Sequence, residues 1–206
     1  AFLAVRPGIR TVKVKGRSTR SLEAFRAWAA DEYPQVDVVA VDTIEDVVRG
    51  SDIVTFCTSG ETGDPSTYPL VKREWVKPGA FLSMPASADI DEAMEAADVR
   101  KVADNIGLYE AWADELPAPA HHHVPVIGCK FMDLIAEGRM DAAALEDLGA
   151  IAAGAAPGRR DDEEIAILSV GGMPVEDVAW GTVLYRRAGG RGIGVSLNLG
   201  QTPALA

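Results

Sequence analysis

The amino-acid sequence predicts an α/β fold built on a doubly wound parallel sheet. Short β-branched runs alternate with stretches of helical periodicity along most of the chain, and several of the runs are apolar throughout. Alternation of this kind forms right-handed βαβ units, and strands that helices cover on both faces are apolar along their whole length. The 206 residues, of which 48% are hydrophobic, are enough for one large domain with its own core.

The first half of the chain supplies most of the predicted strands. In order, the predicted elements are a strand at 11–15, a helix at 21–33, a strand at 36–41, a short helix that Thr43 opens, and apolar strands at 53–57 and 80–84. Within the helix at 21–33, Leu22, Phe25 and Ala29 recur on one face. Asp46 follows Thr43 by three residues, so this pair predicts a capping box at the start of the short helix.

The second half predicts two further strands and a C-terminal helix. Val99–Ala103 is the weaker strand candidate, and a long helical region separates it from the buried run at 164–170. Pro174 starts a helix that is predicted to end at residue 188, before a glycine-rich connecting loop. The polar loop at 60–69 follows a buried strand and is therefore expected to line a ligand crevice, because ligands of such sheets bind at the carboxyl ends of strands.

Charge and hydropathy exclude two classes of partner. The 31 Asp and Glu residues outnumber the 20 Lys and Arg residues and give a net charge of −11, which predicts no nucleic-acid partner because a phosphate backbone would be repelled. No apolar run approaches the roughly 18–20 residues that span a bilayer, so no membrane partner is expected. Cys57 and Cys129 both lie in apolar surroundings, which predicts two buried, reduced thiols in a cytoplasmic protein.

Two clusters of polar residues are interpreted as surface features. His121, His122 and His123 are adjacent, so their side chains diverge, and the chain has no other histidine to complete a metal shell. The acidic run at 161–164 is expected to be a solvated face at the junction of a loop and a strand. Neither cluster predicts a metal site.

A dinucleotide site is suggested by the turn after the first predicted strand. The chain contains no Gly-x-Gly-x-x-Gly turn, so either the sheet binds no dinucleotide or the glycine turn precedes residue 1. If 11–15 is the second strand of a dinucleotide fold, the absence of a carboxylate from the turn Gly16-Arg17-Ser18, with Arg20 nearby, favours NADP(H) over NAD(H). The alternative is a solvated basic turn without a ligand.

Several segments together resemble one enzyme family. The longest is 147–177, DLGAIAAGAAPGRRDDEEIAILSVGGMPVED, followed by VLYRRA and GIGVSLNL. Upstream, SDIVTFCTS, WVKPGAFL and the GRS turn occur in the matching order. These motifs are weak singly and specific together, and they resemble the ornithine cyclodeaminase/μ-crystallin family over essentially the whole chain.

The resemblance implies a Rossmann-like NAD(P)-binding domain of an enzyme that acts at the α-carbon of a small amino or imino acid. Family members include ornithine and lysine cyclodeaminases, alanine dehydrogenase and ketimine reductase, and their longer chains place a substrate and dimerisation portion before this domain. The expected organisation is therefore a homodimer in which residues 1–188 form the dinucleotide-binding domain, with the first strand and glycine turn before residue 1. Residues 189–206 are expected to return to the substrate and dimerisation domain.

The resemblance also implies roles for individual residues. The residues expected to bind cofactor are Gly16, Arg17 and Ser18 at the adenosine ribose or its phosphate, Thr58 and Ser59 along the groove, Ser83, Met84, Pro85 and Ala86 beside the nicotinamide, and Ser169 at the end of a late strand. Val170 is expected to contact substrate. Asp89 lies about one residue from the position of a family acid/base, so it is a candidate for proton transfer or, alternatively, a helix cap. A non-catalytic NADP(H)-binding or small-ligand-binding protein and a plain interaction module are the rival functions.

Overall fold

A computed structural model describes residues 2–195, which form short parallel sheets and flanking helices. The strands are β1 (Thr11–Val14), β2 (Asp37–Ala40), β3 (Ile53–Thr55), β4 (Leu70–Val71), β5 (Phe81–Met84), β6 (Asp89–Ile90), β7 (Val99–Ala103), β8 (Leu145–Asp147) and β9 (Ile165–Ser169). The α-helices are α1 (Phe2–Val5), α2 (Thr19–Glu32), α3 (Ile44–Val48), α4 (Ile106–Glu115), α5 (Ile127–Ala136), α6 (Leu148–Ala152) and α7 (Pro174–Arg191).

The central sheet has the strand order β3-β5-β9-β7-β8, and every pair in it is parallel. Strand β9 lies in the middle, where Ile167 pairs with Leu82 on one side and with Lys101 on the other. Parallel neighbours require crossover connections, and here these contain helices or 3-10 turns. The parallel sheet predicted from the sequence is confirmed.

The main core fills one side of this sheet. Leu82, Met84 and Ile167 project from the strands, and Tyr109 and Phe131 pack in the same cluster from α4 and α5. All five side chains are fully buried. Each large apolar side chain removed from water in this way contributes about 1.5–3 kcal/mol to folding.

Strands β1 and β2 form a separate parallel pair. A smaller cluster of Ala29, Val36 and Val38 holds α2 against this pair. Lys13 extends from β1 to the C-terminal end of α3, where its Nζ donates to the carbonyl oxygens of Asp46 at 2.9 Å and Arg49 at 2.5 Å. Within the described residues, no hydrogen-bonded ladder joins β1 to β3.

The local signals in the sequence predict most elements to within a few residues. Thr43 and Asp46 form the expected capping box, and Pro174 occupies the first turn of α7. The weak candidate Val99–Ala103 is a fully buried strand. By contrast, β3 is an edge strand of its sheet with Thr55 exposed, because β3 pairs with β5 alone in the described part of the chain.

The structure corrects two predictions in the second half of the chain, one wholly and one at a single residue. Gly189 and Gly190 belong to α7 and not to a connecting loop, and the helix ends at Gly192, whose φ of 63° is the left-handed conformation that glycine adopts readily. In the acidic run 161–164, the first three residues are exposed as predicted, but Glu164 is buried. Its carboxylate faces the guanidinium of Arg100 at 3.4 Å, which explains why it leaves the surface.

The chain divides into two compact units, Ala1–Gly171 and Gly172–Ala206, and the second contains α7. The sequence-based domain boundary at residue 188 stays a prediction. Most of the predicted segment 189–206, including the second half of GIGVSLNL, lies outside the described residues. Among residues 2–195, no helix combines the length and the apolar character needed to cross a membrane.

Candidate active site

The turns at the carboxyl edge of the central sheet form the candidate ligand crevice. Strands β3, β5, β9 and β7 end at this edge, and the turns that follow them contain most of the predicted site residues. In open parallel sheets, ligands bind in the crevice outside the carboxyl ends of the strands. The fold therefore brings residues from distant parts of the sequence to one edge.

The turns after β3 and β5 are joined by hydrogen bonds. Thr58 Oγ1 donates to the carbonyl oxygen of Ser87, and the backbone amide of Phe56 donates to that of Ser83 at 3.0 Å. Thr58 and Ser59 are exposed, as is Pro85, while Ala86 is half-buried. These four predicted cofactor residues thus lie in two linked turns that solvent reaches.

The two cysteines differ, although both were predicted to be buried. Cys57 is exposed in the turn after β3, so that prediction is wrong: the apolar run ends at the sheet edge before the turn. Cys129 is buried in α5, and burial raises the pKa of its thiol to about 12. A thiol of this kind is inert because the reactive form is the thiolate.

Ser83 and Met84 lie within β5, before the turn. The Met84 side chain is fully buried in the core, and its backbone carbonyl accepts a hydrogen bond from the amide of Val170 at 3.4 Å. The Ser83 carbonyl is engaged by Phe56. Only the backbone of Met84 reaches the crevice edge, next to the predicted substrate residue Val170.

Ser169 is fully buried at the end of β9, and its hydroxyl is engaged inside the protein. Ser169 Oγ accepts from the amide of Gly128 at 2.8 Å and donates to Tyr109 Oη at 2.9 Å. Tyr109 Oη in turn donates to Asp104 Oδ1 at 2.8 Å. Sequence reasoning missed Tyr109 and Asp104; the position of Asp104 directly after β7 was the available signal.

Gly16, Arg17 and Ser18 follow β1 and so lie on the separate two-stranded sheet. All three are exposed. Ser18 is the N-cap of α2, and its side chain accepts from the amide of Ser21 at 3.4 Å. The Ser18 hydroxyl therefore has a structural role at the helix start, and the Arg17 side chain extends from an exposed turn.

Asp89 lies on β6 and forms a half-buried ion pair. Its Oδ1 accepts from Lys130 Nζ at 2.5 Å and from the amide of Ile90 at 2.7 Å. The alternative role of Asp89 as a helix cap is wrong, because Asp91 caps the 3-10 turn Glu92–Met94 instead. Asp91, two residues after Asp89, is the carboxylate that faces this turn.

His121 is buried, although the histidine run was predicted to lie on a surface loop. Its ring Nε2 lies 3.1 Å from the carbonyl oxygen of Ala88, and the Tyr68 ring packs edge-on at 5.3 Å. Asp133 accepts the backbone amides of Ala120 and His121 at 2.7 and 3.0 Å, which draws this turn onto α5. In the described part of the chain, no three His, Cys, Asp or Glu side chains are arranged to hold a metal ion.

The model of the ornithine cyclodeaminase/mu-crystallin family matches residues 1–192 of this sequence. The chain belongs to this family. Membership confirms the resemblance that the segment 147–177 and its companion motifs indicate.

One curated relative is N-((2S)-2-amino-2-carboxyethyl)-L-glutamate dehydrogenase of Staphylococcus aureus, which is 26% identical to this chain over 169 residues. The match covers 82% of this chain and 44% of the relative. A putative dehydrogenase of Rhizobium meliloti is 27% identical over 188 residues, which are 91% of this chain and 51% of the relative. The chain thus spans about half the length of the curated relatives it matches.

Solved structures of family-like enzymes share the fold. The Δ(1)-pyrroline-2-carboxylate reductase of Thermococcus litoralis, solved with NADH and L-proline, superposes with a TM-score of 0.70 at 18% identity, over 92% of this chain and 53% of the reductase. An archaeal alanine dehydrogenase dimer with bound NAD gives 0.66 at 21% identity, over 93% of this chain and 53% of the other. The fold of this chain is Rossmann-like, as the sequence predicts.

Proposed function

We propose that this chain forms the NADP(H)-binding portion of an oxidoreductase or cyclodeaminase that acts at the α-carbon of a small amino or imino acid. The observation that supports the proposal most directly is the convergence of the turns after β3, β5 and β9 on one crevice edge, in a chain of this family. The dehydrogenase and reductase names of its relatives support the same class of activity.

The residues at the carboxyl edge fit a dinucleotide. Thr58, Ser59, Pro85 and Ala86 present accessible backbone and hydroxyl groups along one line of turns. A Cβ at position 16 would lie 3.1 Å from Leu22 Cδ2, so glycine at this position avoids a close contact with the Leu22 side chain. The nicotinamide, when bound, supplies or accepts the hydride, and the protein's part is to hold it against the substrate carbon.

The organisation of the sheet supports a preceding strand. Strands β1 and β3 are both parallel to their partners, yet the described residues leave the sheet divided between them. We propose that a strand and glycine turn before residue 1 pair between β1 and β3 and complete one continuous sheet. The substrate-binding portion is then expected to lie in the remaining half of the length that the relatives have.

The preference for NADP(H) is proposed from Arg17. Its exposed guanidinium follows β1, where an acidic side chain would instead bind the ribose hydroxyl of NAD(H). Arg17→Ala is expected to weaken NADPH binding by roughly 10- to 150-fold and NADH binding little, because a hydrogen bond to a charged phosphate contributes about 1.5–3 kcal/mol. Titration followed by nucleotide fluorescence measures both dissociation constants.

Arg26→Ala is the matched control for Arg17→Ala. Arg26 is an exposed arginine further along α2, so its removal changes net charge equally without touching the turn after β1. Equal losses of NADPH and NADH affinity in Arg17→Ala would refute the preference for NADP(H). If Arg26→Ala weakens NADPH binding as much as Arg17→Ala does, the loss of affinity is due to overall charge.

Turnover is tested on the full gene product. NADPH absorbance is followed with a panel of keto acids plus amine, and in reverse with amino acids. Turnover with any substrate supports the enzyme. Tight NADPH binding without turnover would establish instead a non-catalytic NADP(H)-binding protein, and no nucleotide binding at all would favour an interaction module.

One observation favours the non-catalytic alternative. Asp89 is our candidate for proton transfer to or from the substrate, yet Lys130 and the amide of Ile90 both engage its Oδ1. A carboxylate held in this way stabilises the loop after β5 more directly than it moves a proton. If Asp89 is the acid/base, Asp89→Asn lowers kcat and removes one limb of its pH profile, whereas a purely structural Asp89 leaves the profile unchanged.

We also propose a homodimer, supported by the family resemblance and by the dimeric archaeal alanine dehydrogenase. A cytoplasmic location stays a prediction. Size-exclusion chromatography with light scattering on the full gene product measures the oligomeric state directly.

A further inference from the structure

A buried chain of hydroxyl and carboxylate groups joins the ends of β9 and β7 to α4 at the carboxyl edge of the central sheet. Ser169 and Tyr109 are fully buried and Asp104 is 7% exposed. The hydrogen bonds run in one direction, from Ser169 to Tyr109 at 2.9 Å and from Tyr109 to Asp104 at 2.8 Å. We call these three residues the Asp104–Tyr109–Ser169 triad.

The triad holds backbone amides from three different elements. The amide of Gly128 in α5 donates to Ser169 Oγ at 2.8 Å, and the amide of Gly171 after β9 donates to Asp104 Oδ2 at 2.9 Å. The amide of Asn105, the N-cap of α4, donates to Asp104 Oδ1 at 3.0 Å. The turn after β9 is therefore tied to the starts of both α4 and α5.

Two glycines make room for the tyrosine ring. A Cβ at Gly128 would lie 2.3 Å from Tyr109 Cε1, and a Cβ at Gly171 would lie 3.0 Å from Tyr109 Oη. Backbone therefore approaches the tyrosine from two sides, at positions where no other residue fits without movement. A phenylalanine would fill the same space, so the hydroxyl has a purpose besides packing.

The direction of the hydrogen bonds requires a protonated tyrosine. Burial raises the pKa of the Tyr109 hydroxyl above its usual value, with the bond to Asp104 acting in the same direction. The Tyr109 hydroxyl accordingly remains a donor to Asp104 and an acceptor from Ser169 at any pH the protein meets. Each hydroxyl in the triad is thus both donor and acceptor, which leaves Ser169 Oγ committed to the protein.

We infer that the Asp104–Tyr109–Ser169 triad positions the turn 169–171 for the nicotinamide and substrate end of the crevice. Ser169 then acts through Tyr109 and Asp104 and not by touching cofactor with its hydroxyl, and Val170 is the residue that the triad presents. The inference rests on the proposed function for the ligand and on the hydrogen bonds for the geometry. All three are positioning residues.

The first test needs no ligand. Amide hydrogen exchange, measured by NMR on this chain, compares the wild type with Tyr109→Phe. Loss of the hydroxyl is expected to speed exchange at Gly171, Gly128 and Asn105 by roughly tenfold, because buried groups that lose a partner open more readily. Unchanged exchange at these three amides would overturn the inference, whatever the nucleotide results.

The second test separates the two ends of the cofactor. Binding of NADPH is compared with binding of 2′,5′-ADP, which contains only the adenosine end. Tyr109→Phe is expected to weaken NADPH binding by roughly tenfold and to leave 2′,5′-ADP binding within about twofold, since only the nicotinamide end meets the turn 169–171. A general structural defect would weaken both ligands equally, and that result would contradict the inference.

Two further variants complete the design. Trp112→Phe is the matched control. The Trp112 ring centroid lies 5.7 Å from that of Tyr109, and phenylalanine keeps an aromatic ring there while the triad stays intact. This variant should bind both ligands normally. Ser169→Ala, alone and with Tyr109→Phe, provides a double-mutant cycle and a milder variant if Tyr109→Phe folds poorly. If the residues act as one network, the double variant should lose no more NADPH affinity than the weaker-binding single variant. Additive losses of affinity would overturn the inference.

The wild type distinguishes the two proposals. If it binds neither NADPH nor NADH, the proposed function fails, and a positioning role toward a cofactor fails with it. If it binds NADPH and the variants show no selective loss, the proposed function stands and the triad is only structural.

Discussion

At the scale of single residues, His121 joins two loops that border the candidate crevice. Its ring contacts the carbonyl of Ala88 in the turn after β5, and Tyr68 from the loop at 60–69 packs on it. The neighbouring carbonyl of His122 accepts the amide of Gly63 at 2.7 Å. One buried imidazole thus holds the loop that the sequence predicts to line the crevice.

Burial of His121 predicts a pH dependence of stability. Burial lowers the pKa of His121 below its usual value of 6.5, and the positive charge of Lys130 lowers it further. The negative charges of Asp89 and Asp133 raise the pKa but do not outweigh burial. The unfolded chain therefore takes up a proton near pH 6.5 that the folded chain does not, so the contribution is present above that pH and is lost as the pH falls below it. Thermal unfolding between pH 7 and 5 measures the loss.

His121→Gln is expected to flatten this pH dependence, since glutamine retains a hydrogen-bond donor toward Ala88 but does not titrate. His123→Gln is the matched control, because His123 is exposed in the same run and should leave the profile unchanged. Parallel profiles for wild type and His121→Gln would show that another group is responsible.

At the scale of elements, the amino-terminal edge of the sheet is held by a buried charge cluster. Arg100, at the start of β7, donates to Glu146 at 2.6 Å and lies 3.4 Å from Glu164. It also donates to the carbonyls of Pro157 and Gly158, which lie in the segment 147–177 that resembles the family. The bonded Arg100 lowers the pKa of Glu146, so both partners remain charged.

Removal of Arg100 is expected to destabilise the fold severely. Arg100→Met leaves Glu164, 8% exposed, and Glu146 with the exposed Arg160 as their remaining cation, and removal of the buried partner costs about 3–5 kcal/mol. Arg49→Met removes an exposed ion pair with Glu45 and should cost only about 0–1 kcal/mol. Urea unfolding of both variants checks the difference, and a loss near that of Arg49→Met in the Arg100 variant would contradict a buried cluster.

At the scale of the whole molecule, the central sheet and the β1–β2 sheet have cores of very different size. The central sheet shares its core with α4 and α5, whereas β1 and β2 are held by the small cluster around Ala29, Val36 and Val38. Regions with few buried apolar contacts open at lower free energy than the core. The half of the site that includes Arg17 therefore stands on the less stable sheet.

Native-state hydrogen exchange tests this difference. Amides of β9 and β5 are expected to exchange only through global unfolding, and amides of β1 and β2 at least tenfold faster through local opening. Equal protection in the two sheets would indicate one cooperative unit. If the proposed preceding strand joins β1 to β3, the longer gene product should reduce the difference.

The sequence predicts the fold class and much of the crevice because the relevant signals are local. Thr43 and Asp46, three residues apart, are enough to start a helix, and a β-branched run such as Ile53–Thr55 favours a strand wherever it lies. Since parallel strands share a carboxyl edge, predicting the strands also brings Thr58 and Ala86 together. The roles of Met84 and Asp89 could not be predicted from the sequence, because the direction of a side chain and its ion pairs depend on residues that are distant in the chain.

The sequence by itself therefore determined the fold class, the family, and which turns meet at one edge, but it did not predict the short strands β4, β6 and β8. Only the tertiary structure decided which polar side chains are buried: His121 beneath a loop, Glu164 against Arg100, and Ser169 on a tyrosine 60 residues away in the chain. Periodicity and capping act over a few residues, whereas burial and pairing are set by packing between distant segments. For this reason the sequence does not identify Tyr109 as part of the site, whereas the packing of α4 against the sheet does.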